Sequence, residues 1–575
     1  MIMLTKFFYR FSILFLIGLF IVFRFFRLGQ TPPGVFVDEA SFGVEANSIL
    51  HTAHDTWGRF LPLEFKAFGE YKAGGLVYVL VPLIKIFGLQ PFTTRLPSAI
   101  SGLGVLLIFY LTLRLFWPRT SSLLLIFATS FLAFAPWHFG LSRLFFEANV
   151  GFIFYALGIY FAFSFLRRHQ SSHLLFMVAS FSLAGYFYAT FRYLGLGTVV
   201  FVYLLSLRSK SPLLFLKVSL VGLLLSLGWL SFLFSSHSFQ RIQQEGNKYQ
   251  FSRVLTIDQA RKTCFLTFNR DPHLSKFCYF IWNKPILYFY QVINSFIEQS
   301  SGYYLFLHSP ANYVVSPNWG MYSRFLWPFY LIGLYLLFKG VAHRRKLYLL
   351  LLFLLFFSQL PSVILAQTSL HRNIVNLYLF GLILAFGFLK AFSFLRHYSL
   401  RLAIVFVLIF SFFFGLDTVR FLSDYFLNYT QQNPLLWQAD ITQVFNYLKT
   451  QQNHHYRIID HSFGPLYAAY FGLISPKAYQ QAERYSPSDN GWIHVKRVGD
   501  YSSEGGNLTD LLCQKYHHPD SFQPTLLIAS PDSKWLEYAD LVTKPFSGAV
   551  PIHVIYNIDH VYQRLGNDIH SYCGW

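Results

Sequence analysis

Long apolar runs, broken at short intervals by basic segments, organise the chain as far as Arg420. A helix of roughly 20 apolar residues crosses a hydrocarbon core about 30 Å thick while satisfying its own backbone hydrogen bonds. About eleven runs have that character. They lie at 8–27, 98–117, 120–137, 149–166, 173–190, 193–207, 213–234, 323–340, 347–366, 373–390 and 401–420. One further apolar stretch, Gly74 to Leu89, would reverse every later span if it crossed. It is expected to be an interfacial or re-entrant helix on the outer face.

The pattern changes after residue 422. Helical periodicity from Leu435 to Lys449 is followed by short β-rich runs at Tyr456–Asp460, Thr525–Ala529 and His553–Ile558, separated by turn residues. The predicted architecture is an α-helical integral membrane protein of about 11 spans with long extracytoplasmic loops, plus a small C-terminal α/β domain. Residues 1–422 form the predicted transmembrane domain, with a first outer loop at 28–97 and a second at 235–322. Residues 423–575 form the extracytoplasmic domain.

Charge orients these spans. With a cytoplasmic N-terminus the inner segments hold Lys6 and Arg10, Arg114 and Arg119, Arg167 and Arg168, Arg208, Lys210 and Lys217, the cluster Lys339, Arg344, Arg345 and Lys346, and Lys390, Arg396 and Arg401. Those segments contain no Asp or Glu; all 26 acidic residues fall on the outer side or at outer helix ends. This is the positive-inside bias of a cytoplasmic membrane protein, and it accounts for the net charge of +20 without nucleic acid. Arg24 and Arg27 directly follow the first run, with no small-residue cleavage site, so that run is expected to stay as an uncleaved span. A composition of 54% hydrophobic and only 13% charged residues excludes a soluble enzyme of this length, and 68 Phe with 37 Tyr exclude a disordered chain.

Cysteine placement agrees with this topology. Cys264 and Cys278 lie in the second outer loop and Cys513 and Cys573 in the tail, all where disulfides persist. Of three possible connectivities the loop pair and the tail pair are favoured over four free thiols. No Cys-based metal spacing is present.

The spans carry almost no ionisable residue at mid-depth, where transporters and pumps place theirs. A lipid-linked sugar flippase would need such a polar path. Charge gathers instead at outer helix ends and in the first outer loop, which contains Asp38-Glu39, then Glu70-Tyr71-Lys72 and Thr94-Arg95-Leu96-Pro97-Ser98. Further outer corners hold Pro136-Trp137-His138, Ser142-Arg143, Glu147-Ala148-Asn149, Arg192-Tyr193 and His371-Arg372-Asn373. An Asp-Glu pair alone is most often a charge pair at a helix N-terminus. Two or three carboxylates facing several Arg and Lys, however, are what a site needs to bind a phosphate anion while activating a hydroxyl. A mixed acidic and His set also suits a divalent metal ion, although nothing in the sequence specifies one. Interfacial arginines that snorkel and an aromatic belt are the ordinary explanation for Arg143, Arg192, Trp137 and Tyr193.

The order of these motifs resembles the C-type (GT-C) membrane glycosyltransferases, in particular the protein O-mannosyltransferase and aminoarabinose transferase superfamily. The motifs are a first-loop Asp-Glu, a Lys entering an apolar outer helix, Arg-Leu-Pro-Ser opening the next span, Ala135-Pro136 followed by Ser-Arg and an acidic residue, and a long outer tail. The match covers about the first 200 residues. It implies a multi-span helical bundle that transfers a sugar from a polyprenyl-phosphate-linked donor to a protein, lipid or glycan acceptor hydroxyl at the outer face. Asp38 matches the acidic residue that acts as base, Glu39 its supporting partner, and Glu147 a second acidic position where relatives commonly carry Asp. Arg95 matches the arginine that holds donor phosphate, and Lys72 and Arg192 are expected to join it. Lys72 is followed by Ala73-Gly74 where many relatives read Lys-Pro-Pro. Glu70, Tyr71, His138, Arg143, Tyr193, His371 and Arg372 are the expected substrate-binding set. An oligosaccharide ligase or polymerase using a polyprenyl-diphosphate donor is the competing expectation; it would depend on Arg270, His273 and His308 in the second outer loop instead.

Overall fold

The computed structural model describes residues 2–68, 70–206, 257–267, 272–310, 314–364, 370–451, 456–460, 464–485, 493–503, 506–543 and 553–573. The expected span at 213–234 lies outside these residues. The chain divides into two compact units. One comprises Met1–Phe25, Ser98–Ser142 and Phe146–Phe421, the other Phe26–Pro97, Arg143–Phe145 and Leu422–Trp575. Residues 28–97, expected as the first outer loop, thus belong to the same unit as residues 422–575.

Helices α1 (Ile2–Phe25), α2 (Val37–Thr52), α3 (Gly75–Phe87), α4 (Pro91–Phe116), α5 (Ser122–Ala133), α6 (Pro136–Leu141), α7 (Glu147–Arg168), α8 (Ser171–Phe187) and α9 (Ala189–Ser206) fill the N-terminal part of the chain. Among the described residues seven helices are long and apolar enough to cross a membrane, and the fold is that of a multi-pass helical membrane protein. Three of them are α4, α7 and α9; the other four occupy 324–342, 346–364, 374–398 and 400–432. The run expected as a span at 120–137 is instead α5, only 12 residues long, followed by the short α6. Pro136 is the cause: it opens α6 and holds Ala135 at φ −59°, ψ 123°, outside the helical region. At 1.5 Å per residue, α5 falls well short of the hydrocarbon thickness.

In the membrane unit the helix Ile374–Tyr398 is buried along nearly its whole length. Its Gly387 and the facing Gly333 of Trp327–Ala342 set the contact, because a Cβ on Gly387 would lie 1.9 Å from the Phe329 carbonyl oxygen and one on Gly333 would lie 2.0 Å from that of Ile383. Small residues of this kind let helix backbones approach where no hydrophobic force drives them together. Phe131, Phe329, Phe388 and Phe410 pack edge to face around the same contact.

The second unit is built on a mixed sheet of seven described strands in the order β4-β5-β6-β3-β7-β9-β8. These are β3 (Arg457–Asp460), β4 (Glu483–Tyr485), β5 (His494–Val498), β6 (Tyr501–Ser502), β7 (Thr525–Ala529), β8 (Leu541–Thr543) and β9 (His553–Asn557); a separate hairpin pairs β1 (Glu64–Ala67) with β2 (Glu70–Ala73). Central β3 runs parallel to both β6 and β7, and the outer strands are antiparallel. Alternate residues of the central strands feed two cores. Ile458, Leu526, Ile528 and Ile555 face one with Phe445, Tyr467 and Tyr470, whereas Ile459, Leu527, Val554 and Tyr556 face the other with Leu511, Trp535 and Val561. Burial on both faces is why these strands read as unbroken apolar runs.

Helix α2 belongs to the first of these cores through Ala40 and Val44. Gly43 makes this possible, since a Cβ there would lie 2.8 Å from Leu89 Cδ1 and 2.9 Å from the Tyr470 ring. Helix α3 covers 13 residues, too few to cross a bilayer, and buries Leu76, Val77, Leu80 and Ile84 on one face. Disulfides join Cys264 to Cys278 and Cys513 to Cys573.

Candidate functional site

Asp38 and Glu39 occupy the first turn of α2, the end where the helix dipole favours negative charge. Their environments differ sharply. Glu39 is 1% exposed and is bracketed by cation and hydroxyl donors: Arg95 Nε lies 3.1 Å from Oε1, Arg95 Nη2 lies 3.1 Å from Oε2, and Thr94 Oγ1 donates to Oε1. The Asp38 side chain remains 41% exposed and meets the Lys72 ammonium, Nζ at 2.6 Å. Strand β2 presents Lys72, whose Nζ also lies 5.0 Å from the Phe42 ring and 5.2 Å from the Phe68 ring. Those rings shield one end of the ion pair while the carboxylate keeps its access to solvent.

Arg95 fixes the entry to α2. Besides Glu39 it donates to the carbonyls of Leu28 (3.3 Å), Pro32 (2.8 Å) and Gly34 (2.6 Å). A guanidinium has five N–H groups, and these partners use all five, so none is left for an external anion in this arrangement. Gly34 is required where it stands. Its φ is +77°, and a Cβ would sit 2.3 Å from the Trp437 carbonyl oxygen.

The tail closes the other side of the pair. Tyr467 donates to the Val35 carbonyl at 3.0 Å and to Gln438. Burial, then the nearby carboxylates of Glu39, Asp440 and Asp38, push its hydroxyl well above the ordinary tyrosine value, and burial with Glu39 does the same for Tyr470. Both tyrosines stay neutral against the acidic turn. Asp440 in turn holds His553, with Oδ2 2.5 Å from Nδ1. Sequence reading found neither Tyr467 nor Asp440. More than 400 positions separate Tyr467 from its partner Val35, and no local motif marks such a contact.

The remaining candidates are distributed over the two units. In the second unit, Glu70 pairs through its backbone with Ala67, and Tyr71 faces Lys66 across the hairpin with the Arg59 guanidinium 5.5 Å from its ring. Arg143 is fully buried; its Nη2 donates to the Phe26 carbonyl (2.7 Å) and the Thr31 carbonyl (3.1 Å), and it stacks 4.8 Å over Phe426. In the membrane unit, Glu147 is the first residue of α7. His138 is buried with Nδ1 2.8 Å from Arg24 Nη2; since arginine only donates, the histidine proton sits on Nε2. Arg192 is buried and donates from Nε to the Gly185 carbonyl at 2.9 Å. Tyr193 is 42% exposed. His371 stacks on Phe146 with ring centroids 5.7 Å apart, and Arg372 follows it, half-buried. Within residues 235–322, His308 stacks on Tyr303; Arg270 and the side chain of His273 fall outside the described residues.

Among the described residues no three His, Cys, Asp or Glu side chains gather as a ligand set for a metal. Asp38 already meets an ammonium and Glu39 already accepts from a guanidinium and a hydroxyl.

No family model matches the chain, and no curated protein matches it in sequence. Solved structures do. The oligosaccharyltransferase of Archaeoglobus fulgidus in its apo form aligns with a TM-score of 0.51 at 12% identity, covering 91% of this chain and 70% of that one. The same enzyme in complex with Zn and sulfate gives 0.50 at 13% identity, covering 90% and 68%. ArnT from Cupriavidus metallidurans bound to undecaprenyl phosphate aligns over 95% of this chain and 97% of its own, with a TM-score of 0.46 at 11% identity. The fold assignment rests on the first two. At these identities the likeness is one of fold alone: the chain shares its overall architecture with the oligosaccharyltransferase of Archaeoglobus fulgidus.

Proposed function

We propose that this protein is a membrane glycosyltransferase that moves a sugar from a polyprenyl-phosphate-linked donor to an acceptor hydroxyl at the outer face of the cytoplasmic membrane. Its N-terminus is cytoplasmic and its C-terminal domain extracytoplasmic, as the distribution of Lys and Arg argues. The observation that carries the reading is the contrast within one helical turn: Glu39 is buried against a guanidinium and a hydroxyl, while the Asp38 side chain is solvent-accessible beside the Lys72 ammonium.

Asp38 is the base. It takes the proton of the acceptor hydroxyl as that oxygen bonds to the anomeric carbon. The bond from that carbon to the phosphate oxygen breaks in the same displacement, and the electron pair leaves with polyprenyl phosphate. Attack opposite the leaving group inverts the anomeric centre, and a second nucleophilic carboxylate is not needed. The departing phosphate is a weak base, so it requires charge stabilisation rather than a strong acid. Lys72 is suited to that role, since an arriving phosphate competes with Asp38 for the same ammonium and frees the carboxylate for the acceptor. Glu39 and Arg95 act as positioning residues that hold the first turn of α2 against the loop 28–34.

A second reading, transfer of an oligosaccharide from a diphosphate carrier, is favoured by the likeness to an oligosaccharyltransferase fold. Purified protein in detergent and lipid, given radiolabelled polyprenyl-monophosphate and polyprenyl-diphosphate sugars, separates the two. Consumption of a monophosphate sugar supports the first reading, and consumption of diphosphate donors alone replaces it with the second.

A further inference from the structure

Beyond the acidic turn, α2 lines with Ser41, Val44 and Glu45 a small cleft of about 50 Å³ that opens to solvent. Glu45 is the one carboxylate among the residues that line it, and it is 4% exposed. Its two oxygens accept from a single residue, Thr56, from the backbone N–H at 2.9 Å and from Oγ1 at 2.6 Å. No cation bonds it. The basic residues in the same lining are Lys66, Arg484 and His494. Lys66 Nζ and Arg484 Cζ each lie 4.3 Å from the centre of the Trp57 ring. Arg484 spends its Nη groups on the carbonyls of Thr56, Tyr479, Gln480 and Ala482, whereas Lys66 has no carboxylate partner among the described residues. Nearby Asp55 is neutralised by Arg59 at 2.7 Å and is absent from the lining.

A cleft with one buried carboxyl that bonds no cation among the described residues, and a surplus of positive charge, is suited to an anion on one condition: the carboxyl must hold a proton, so that it donates to the incoming oxygen instead of repelling it. We propose that this cleft binds an oxyanion, the carboxylate or phosphate monoester of a polar ligand, between the Lys66 ammonium and the Glu45 carboxyl in its acid form. Binding is then linked to proton uptake. The same burial pushes Glu45 up to about 7; Asp55 adds to the rise, and the Thr56 hydrogen bonds and Arg59 oppose it, while Arg484 and Tyr479 also face it electrostatically. The proton is thus available near neutrality, and the cleft loses its ligand as pH rises.

The test measures binding of glucuronate, glucose 6-phosphate, glucose and glucosamine to the full chain in detergent by calorimetry at pH 6 and pH 8. Glucuronate and glucose 6-phosphate separate carboxylate from phosphate as the favoured oxyanion; glucose and glucosamine are the neutral and cationic controls. Glucuronate does not titrate in this range, so its affinity is expected to fall about tenfold from pH 6 to pH 8 as a group of pKa near 7 ionises. Glu45→Gln keeps a neutral donor in place and is expected to bind at pH 6 and to lose the pH dependence. Lys66→Ala is expected to weaken both acidic sugars at least tenfold. The proposal is overturned by equal binding of glucose, by glucosamine binding more tightly at pH 8, by a pH dependence that survives Glu45→Gln, or by no binding of either acidic sugar at millimolar concentration. The readout needs no donor and no turnover, so it succeeds or fails separately from the transferase reading.

Discussion

Glu39 and Glu45 lie on the same helix, both inside the same unit and both almost without solvent, yet they are stabilised in opposite ways. Glu39 has a guanidinium and a hydroxyl at its oxygens, so its charge is matched where it is buried. Glu45 has only the hydroxyl and backbone N–H of Thr56, so burial acts on it unopposed by a bonded cation and raises it to about 7. Burial alone therefore does not say what a carboxylate does. The partner decides whether it is a fixed charge that organises a loop or a titrating group that responds to its surroundings. Asp38 is a third case, exposed and paired, with a charge that remains within reach of a substrate.

The largest effect on stability is expected where matched charge is broken. Arg95→Leu strands Glu39 and removes the donors to Leu28, Pro32 and Gly34, and is expected to cost about 3–5 kcal/mol, read as a lowered midpoint in chemical unfolding. Adding Glu39→Gln to that variant should recover part of the loss. If the double variant is no better than Arg95→Leu, the carboxylate was not the stranded group and the contrast with Glu45 fails.

Glu45→Gln is expected to act in the other direction. The native state retains a proton that the unfolded chain releases from its ordinary value of 4.5, so ionised Glu45 progressively costs stability as pH rises from there to about 7. The variant should match wild type near pH 4 and be more stable by about 3 kcal/mol at pH 8. A gain of equal size at both pH values would mean that packing, not charge, is responsible. The smallest effect is expected for Thr94→Val, which removes one donor from Glu39 while Arg95 remains, at about 1–2 kcal/mol by the same unfolding measurement.

Several of these features are readable from sequence, and the reasons are physical. Asp38, Glu39, Lys72 and Arg95 stand out because charged residues are conspicuous in an apolar chain, and they do meet in one unit. The strands around Arg457–Asp460, Thr525–Ala529 and His553–Asn557 are legible because a strand buried on both faces leaves an unbroken apolar run. Short edge strands such as β6 and β8 carry no such signature. The role of Arg95 could not be read in advance, since its carbonyl partners at Leu28, Pro32 and Gly34 are backbone groups that any sequence supplies. Glu45 was equally hidden: a single Glu between Val44 and Ala46 looks like a surface position until the tail is seen to cover that side of α2.

The division of labour on α2 is tested most directly by single-turnover transfer from a radiolabelled polyprenyl-monophosphate sugar, comparing wild type with Asp38→Asn. The account predicts that the variant unfolds at the wild-type midpoint and retains donor, while transfer slows by about 100-fold or more. Transfer at the wild-type rate by the folded variant would contradict it.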